Sequence, residues 1–227
     1  MEIKTIFESS DFLVIDKPAG IIVHPTKYQK QDTLIQVLLK EYPFLSSIGE
    51  AFRPGIVHRL DKLVSGLMVL AKTQSFYNHL ISEFKNKKVK KEYIGLVYGQ
   101  VQRDKGIIDL PIGWTKKGKI VARDINLKSK KPAQTKYSVL KRYKDFTLLK
   151  IEPLTGRTHQ IRAHLSAIGH PLVGDKDYKF KDKPLLCQRI FLHCNYLGFF
   201  DLKGKFREFI SPLPDDLNNL LETLNEK

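Results

Sequence analysis

The chain reads as an α+β protein, and three observations carry that reading. Strand-like and helix-like stretches mix without the regular β-α alternation of a doubly wound parallel fold. Glycine-rich phosphate loops of the dinucleotide or Walker type are absent. No segment repeats at any period, which removes solenoids and propellers. With 227 residues and 42% hydrophobic content the chain can bury a substantial core. The expectation from length is one large domain or two small lobes over residues 1–227.

Each element has its own signal. Residues 3–7 and 12–16 are β-rich stretches around Glu8-Ser9-Ser10-Asp11, whose polar side chains favour a turn, so a hairpin opens the chain. Lys17-Pro18-Ala19-Gly20 ends its second strand. Leu34, Ile35, Val37, Leu38 and Leu39 behind Asp32 predict a short helix over 33–39 with that aspartate as cap. A loop containing Pro43, Gly49, Pro54 and Gly55 follows, then a compact apolar strand over 66–71. Thr73 caps a helix in which Phe76, Leu80, Ile81 and Phe84 repeat at helical spacing. That helix ends in Lys85, Lys87, Lys88, Lys90 and Lys91.

Residues 92–98 return to strand character. Residues 100–136 are rich in glycine, lysine and proline with only short apolar pieces, which predicts exposed loops or a protruding hairpin. Residues 135–140 and 146–151, joined across Tyr143-Lys144-Asp145, form a second hairpin. Thr155-Gly156-Arg157-Thr158 makes a turn with a cap, a helix runs over 159–168, and Gly169 closes it. Strands over 191–193 and 196–200 and a terminal helix over 217–224 complete the chain.

Composition excludes several classes. Cys187 and Cys194 are too few for a disulfide framework and lack the spacing of a zinc site, which suits a reducing compartment. The first 20 residues lack a basic patch followed by a long apolar core, and no run approaches the ~18 apolar residues of a membrane span, so the expectation is a cytoplasmic protein without membrane attachment. The net charge of +15 is segregated. Residues 1–70 carry 8 basic and 8 acidic side chains, residues 71–150 carry 20 and 6, and residues 151–227 carry 11 and 10. One segment holding nearly all the surplus points to a face for a polyanion, with nucleic acid the natural candidate.

The chemistry centres on Asp61. Within residues 58–72 it stands between cations inside an apolar run expected to be largely buried, and a buried carboxylate needs a partner. Arg59 and Lys62 are close in sequence, but the partner is expected from elsewhere. Arg162, one turn from His159 on the predicted helix, is a guanidinium presented from a rigid element and able to bind both oxygens. The proposed pair is Asp61 with Arg162, favouring the ionised carboxylate as a nucleophile or base requires; a purely stabilising ion pair is the open alternative. Tyr93 among Ile94, Leu96 and Val97 reads from pattern alone as a core or interface aromatic, and Arg59 as a surface cation. His159 and His164 lie five apart, the wrong spacing for a metal pair on one helical face, and are expected to cap, pack or bond the loop.

A set of short motifs, in order and spacing, resembles the RluA-type pseudouridine synthases. They are Lys17-Pro18-Ala19-Gly20 with His24-Pro25; His58-Arg59-Leu60-Asp61 with Ser65-Gly66-Leu67; and Lys91-Glu92-Tyr93. After them come Gly156-Arg157-Thr158-His159-Gln160-Ile161-Arg162 with His164, Gly169-His170-Pro171, Gly174-Asp175, and Leu192-His193. The likeness extends from about residue 3 to residue 213. It implies the family's catalytic fold, a mixed, mainly antiparallel central sheet flanked by helices with the active-site cleft across the sheet. It implies an RNA uridine isomerase that needs no cofactor and no metal and works as a monomer on ribosomal or transfer RNA.

By the resemblance Asp61 is the catalytic carboxylate, Tyr93 lies against the target base, and Arg162 is the partner of Asp61. Arg59 helps hold the nucleotide out of its stack, and His58, Lys90, Lys91, Arg157, His159 and Gln160 fall around the substrate. The roles suit the chemistry: a stacked uridine must be extruded at a cost of a few kcal/mol, and guanidinium planes and aromatic rings replace lost stacking. Val64, Ala163 and Cys194 depart from the residues usual in the family, which touches only packing. The short N-terminus implies no separate RNA-binding domain, so RNA recognition is expected in segment 85–131. A catalytically silent RNA-binding or ribosome-assembly protein is the alternative function. A sugar-cleaving glycosidase is disfavoured, because no motif supplies a second carboxylate.

Overall fold

The computed structural model describes residues 3–25, 32–123, 125, 127–178 and 186–224. Strands β1 (Lys4–Glu8) and β2 (Phe12–Lys17) open the chain, followed by helix α1 (Leu34–Glu41) and a 3-10 turn at Pro43–Ser47. Strand β3 (Ser65–Ala71), helix α2 (Gln74–Lys85) and strand β4 (Lys90–Tyr98) come next. Four short strands, β5 (Lys105–Asp109), β6 (Ile112–Trp114), β7 (Ile120–Ala122) and β8 (Lys128–Lys131), lead into β9 (Gln134–Arg142) and β10 (Phe146–Pro153). Helix α3 (Gln160–Ala167), strands β11 (Leu192–Phe200) and β12 (Phe206–Ile210), and helix α4 (Asp215–Glu222) follow. The class is α+β. Two compact units are formed, one from Met1–Lys91 with Cys194–Ser211, the other from Glu92–His193 with Pro212–Lys227.

In the first unit the strand order is β1, β2, β3, β11, with β12 on β11. The expected opening hairpin is present: β1 and β2 are antiparallel, and so are β2 with β3 and β11 with β12. β3 is buried at all seven positions and β2 at five of six, as continuous apolar runs require when both faces of a strand are covered. Helix α2 contributes the buried Phe76, Tyr77 and Leu80, and the Phe12 ring lies 4.9 Å from Phe76 and 5.2 Å from Phe199. Ile81, predicted on the apolar face, is instead 40% exposed. The cap of α1 is Thr33 rather than Asp32. Thr33-Leu34-Ile35-Gln36 is a capping box, in which the Thr33 amide donates to Gln36 Oε1 at 2.9 Å and the threonine oxygen accepts from the Gln36 amide. Asp32 instead faces Lys40 at the surface.

In the second unit β4, β10, β9 and β5 run side by side, antiparallel throughout. Residues 100–136 hold more structure than expected. Besides β5 they form a three-stranded sheet with β6 between β7 and β8, because Ile112, Ile120 and Ala122 bury against Ala133, Ala163 and Tyr178. Strand pieces of three or four residues carry too little periodicity to be read from sequence. The two strands predicted over 191–193 and 196–200 are one, β11, since Cys194 and Asn195 continue it from Leu192 to Phe200. β12 was not predicted: its Arg207 and Glu208 interrupt the apolar pattern. α4 starts two residues early at Asp215, with Asp215 and Asp216 in the first turn where the helix dipole favours acids. Its Leu217 is fully buried with Leu96, Tyr98, Val173 and Phe191. Among the described residues no helix is long and apolar enough to cross a membrane.

Candidate active site

In the first unit the chain enters β3 through the loop His58-Arg59-Leu60-Asp61, anchored by Leu60 and Val64 at 4% and 3% exposure. Between these anchors Arg59 is exposed and Asp61 half-buried. The expected burial of Asp61 is therefore partial: the buried run begins at Val64, and the carboxylate stands on the loop before it. The Asp61 carbonyl accepts from the Val64 amide at 3.1 Å, which closes a turn. The Lys62 carbonyl accepts from the Gly20 amide at 2.7 Å and from Lys17 Nζ at 3.4 Å.

Lys17 is fully buried, and its ammonium also donates to the carbonyls of Pro18 at 2.8 Å and Ile21 at 3.1 Å. A buried ammonium is tolerated only when its donors are used, and here they fasten the loop after β2 to the loop of Asp61. Sequence reasoning assigned Lys17 no role. Its signals were a lysine ending an apolar strand and its place at the head of the Lys17-Pro18-Ala19-Gly20 motif.

His58 braces the same loop. Its Nε2 accepts from the Val69 amide of β3 at 3.0 Å, and its ring stacks on Phe84 at 5.0 Å. Burial pushes the imidazole down to about 3, with the Lys91 charge adding to the effect, so it is neutral with its hydrogen on Nδ1. Lys91 Nζ lies 5.4 Å from the Phe84 ring centre, and burial lowers its amine below the ordinary lysine range. Lys90 is exposed, its ammonium 5.2 Å from the Phe206 ring centre.

In the second unit α3 buries six successive residues, Gln160 to Leu165, three of them polar. Buried polar groups must be hydrogen-bonded, and each of the three is. Gln160 Nε2 donates to the Gln134 carbonyl at 2.9 Å and to Thr135 Oγ1 at 3.0 Å, while its Oε1 accepts from Thr155 Oγ1 and the Arg157 amide. Its amide is thus spent on the loop before the helix. His164 uses both ring nitrogens, on Thr135 Oγ1 and the Leu110 carbonyl, and burial lowers its pKa. This bonding role agrees with the expectation for His164 and leaves neither nitrogen for a metal.

Arg162 is held by two carboxylates of its own unit. Nε donates to Asp175 Oδ2 at 2.7 Å, and Nη2 to Asp175 Oδ1 at 2.9 Å and to Asp177 Oδ2 at 2.5 Å. The guanidinium also lies 5.1 Å from the Tyr178 ring centre. Asp175 is fully buried and accepts further from the amides of Asp177 and Tyr178. Gly174 must precede it: its φ is +78°, and a Cβ there would meet the Arg189 carbonyl oxygen at 1.9 Å. Sequence reasoning sought a single acceptor for Arg162 and missed Asp175, whose signal was only the pair Gly174-Asp175.

His159 lies at the helix N-cap in the left-handed region, φ 56°, in place of the threonine cap expected there, and its Nδ1 meets Tyr178 Oη at 3.4 Å. Arg157 is exposed, with Nε on the Pro132 carbonyl at 3.1 Å. Tyr93 sits in β4 opposite Ile151 and is 6% exposed.

A model of the RNA pseudouridylate synthase family matches residues 11–167. The chain belongs to this family. It is 40% identical to the uncharacterized RNA pseudouridine synthase YlyB of Bacillus subtilis, over all of this chain and 74% of that one. It is 39% identical to the ribosomal large subunit pseudouridine synthase D of Nitrosomonas europaea, over 98% of this chain and 65% of that one. Among solved structures, the human RNA pseudouridylate synthase domain containing 1 superposes with a TM-score of 0.79 at 26% identity, covering the whole chain and 89% of its counterpart. The protein is thus an RNA pseudouridine synthase, an isomerase that acts on uridine in RNA.

Proposed function

We propose that this pseudouridine synthase modifies uridines of large-subunit ribosomal RNA, with Asp61 as its catalytic carboxylate. The carrying observation is the Asp61 loop itself, which is braced by Lys17 and His58 yet leaves Arg59 exposed and Asp61 half-buried. Such bracing suits a group that must be held still while reaching a substrate. The ribosomal target is supported by relatives named for the large subunit, at 34 to 39% identity.

In the isomerisation the bond from the ribose C1′ to N1 of uracil breaks, the base turns, and a bond from C1′ to C5 forms. The C5 proton leaves and N1 gains one, so no oxidant or cofactor is required. Asp61 supplies the carboxylate oxygen, either by adding to the sugar or by taking its 2′ proton. Arg162, presented from the rigid α3, is the cation assigned to Asp61. Tyr93 lies against the extruded base. Arg59 replaces its stacking, and Arg157, Lys90 and Lys91 attend the flanking phosphates with His159 beside them, while His58 and Gln160 brace the loops. The two units serve as the lobes of one catalytic domain working as a monomer in the cytoplasm.

The test is Asp61→Asn. Pseudouridine formation is expected to vanish while RNA affinity stays within severalfold; a variant that still converts uridine would falsify the assignment. Mapping pseudouridines in total RNA from cells with and without the gene decides the target: loss at sites outside ribosomal RNA alone would replace the proposed substrate.

A further inference from the structure

The three-stranded sheet β6–β7–β8 has no part in the chemistry above, yet it concentrates charge and one aromatic in a small area. Residues 111–131 hold seven basic side chains and one acidic. β8, Lys128-Ser129-Lys130-Lys131, is exposed at every position. The turn joining β6 to β7 is Thr115-Lys116-Lys117-Gly118-Lys119, closed by the Lys119 amide on Thr115 Oγ1 at 3.1 Å and by a Thr115 amide bond to the Lys119 carbonyl at 2.8 Å. A cavity of about 590 Å³ is lined by Thr115, Lys116, Lys117, Lys119 and Arg123, four cations and a hydroxyl. That volume falls within the roughly 300–1,000 Å³ of small-molecule sites.

Trp114, the chain's one tryptophan, is 48% exposed at the end of β6. Its register partners are Ile120 on β7 and Lys128 on β8, and residues opposite one another in a sheet share a face. Ile120 is buried, so the strand end leaves the indole beside a packed aliphatic residue and an exposed ammonium. Lys119 does something else. Its ammonium donates to the Asp177 carbonyl at 2.5 Å and lies 5.0 Å from the Tyr178 ring centre, while Tyr178 Oη donates to the Ile120 carbonyl at 2.7 Å. Lys119 thus ties the turn to the loop that holds Arg162, whereas Lys116, Lys117, Arg123 and Lys128 are exposed to solvent.

We propose that this sheet is a platform for single-stranded RNA, on which an unpaired base stacks against Trp114 while Lys116, Lys117, Arg123 and Lys128 neutralise the neighbouring phosphates. An exposed indole next to cations is the combination that binds unpaired nucleotides without reading their sequence, since every base has a face to stack. A duplex keeps its bases stacked on each other and offers the indole nothing. The platform rests on RNA being the substrate class, and its tests read binding rather than turnover. A protein inactive on uridine but still binding RNA through Trp114 would overturn the activity reading and leave the platform standing.

Trp114 provides its own probe. Oligouridylate is expected to quench its emission, whereas inorganic polyphosphate, which has charge and no bases, is expected to bind without quenching. Trp114→Ala should weaken oligouridylate binding about tenfold and Trp114→Phe much less. Lys116→Ala with Lys117→Ala should lower the slope of log affinity against log salt by about 1.4, roughly 0.7 per phosphate on a single strand. Equal quenching by both polymers, or RNA retained on a filter with no change in emission, overturns the stacking. So does a folded Trp114→Ala protein with unchanged affinity. Should that variant not fold, the parent protein's emission with the two polymers decides.

Discussion

Arg162 donates to Asp175 through two nitrogens, and Asp175 is fully buried. Truncating the arginine would strand that charge, which costs about 3–5 kcal/mol when one partner of a buried pair is removed. Arg162→Ala is therefore expected to lower the denaturation midpoint sharply, and Arg162→Ala with Asp175→Asn to lower it by less than the two single changes added together. Additive losses in urea titrations would show that the pair is not coupled. The same bonds explain why this residue was legible as important while two of its acceptors, Asp175 and Asp177, were not. A guanidinium on a helix announces a need for carboxylates, but which acceptors reach it depends on where residues 175–177 turn, and Gly174 with φ +78° decides that turn.

β3 shows how an element positions the site. Gly66 has φ +121°, and a Cβ on it would fall 2.4 to 2.7 Å from the Cys194 backbone of β11. Gly66→Ala is expected to destabilise by about 3 kcal/mol or more, since backbone strain of ~1–3 kcal/mol adds to a clash with rigid main chain. Thermal melting checks this, and an unchanged melting temperature would mean that β3 and β11 can separate without loss. At this scale the sequence was readable wherever apolar periodicity was long. The opening hairpin, β3, α2 and the β9–β10 hairpin were all foreseen, with ends shifted by a few residues. β6, β7, β8 and β12 were not, because strands of three to five residues with charged members have no pattern of their own and are held by neighbours.

At the scale of the molecule the segregated charge is the leading feature. Lys85, Lys87, Lys88 and Lys90 are exposed where α2 ends and β4 begins, whereas Lys91 is half-buried against Phe84. If Lys85, Lys87 and Lys88 contact RNA phosphates, replacing all three with alanine lowers the slope of log affinity against log salt by about 2 to 3, at roughly 0.7–0.9 per contact. An unaltered slope in binding titrations would move the RNA face away from this cluster. Lys91 is left out of that test because it is half-buried against Phe84, so its replacement would disturb packing as well as charge.

Sequence alone determined the α+β class, the family and the RNA substrate class, and singled out Asp61, Arg162 and Tyr93 as candidates, because short motifs in fixed order and spacing need no contact map to be seen. Tertiary structure alone decided what holds those residues in place. Lys17 staples the loop after β2 to that of Asp61, Asp175 and Asp177 grip Arg162, and Tyr178 meets both Arg162 and Lys119. These partners lie 13 to 59 residues apart along the chain, and a side chain buried by folding must find its hydrogen bonds wherever the backbone brings an acceptor, which local sequence does not encode.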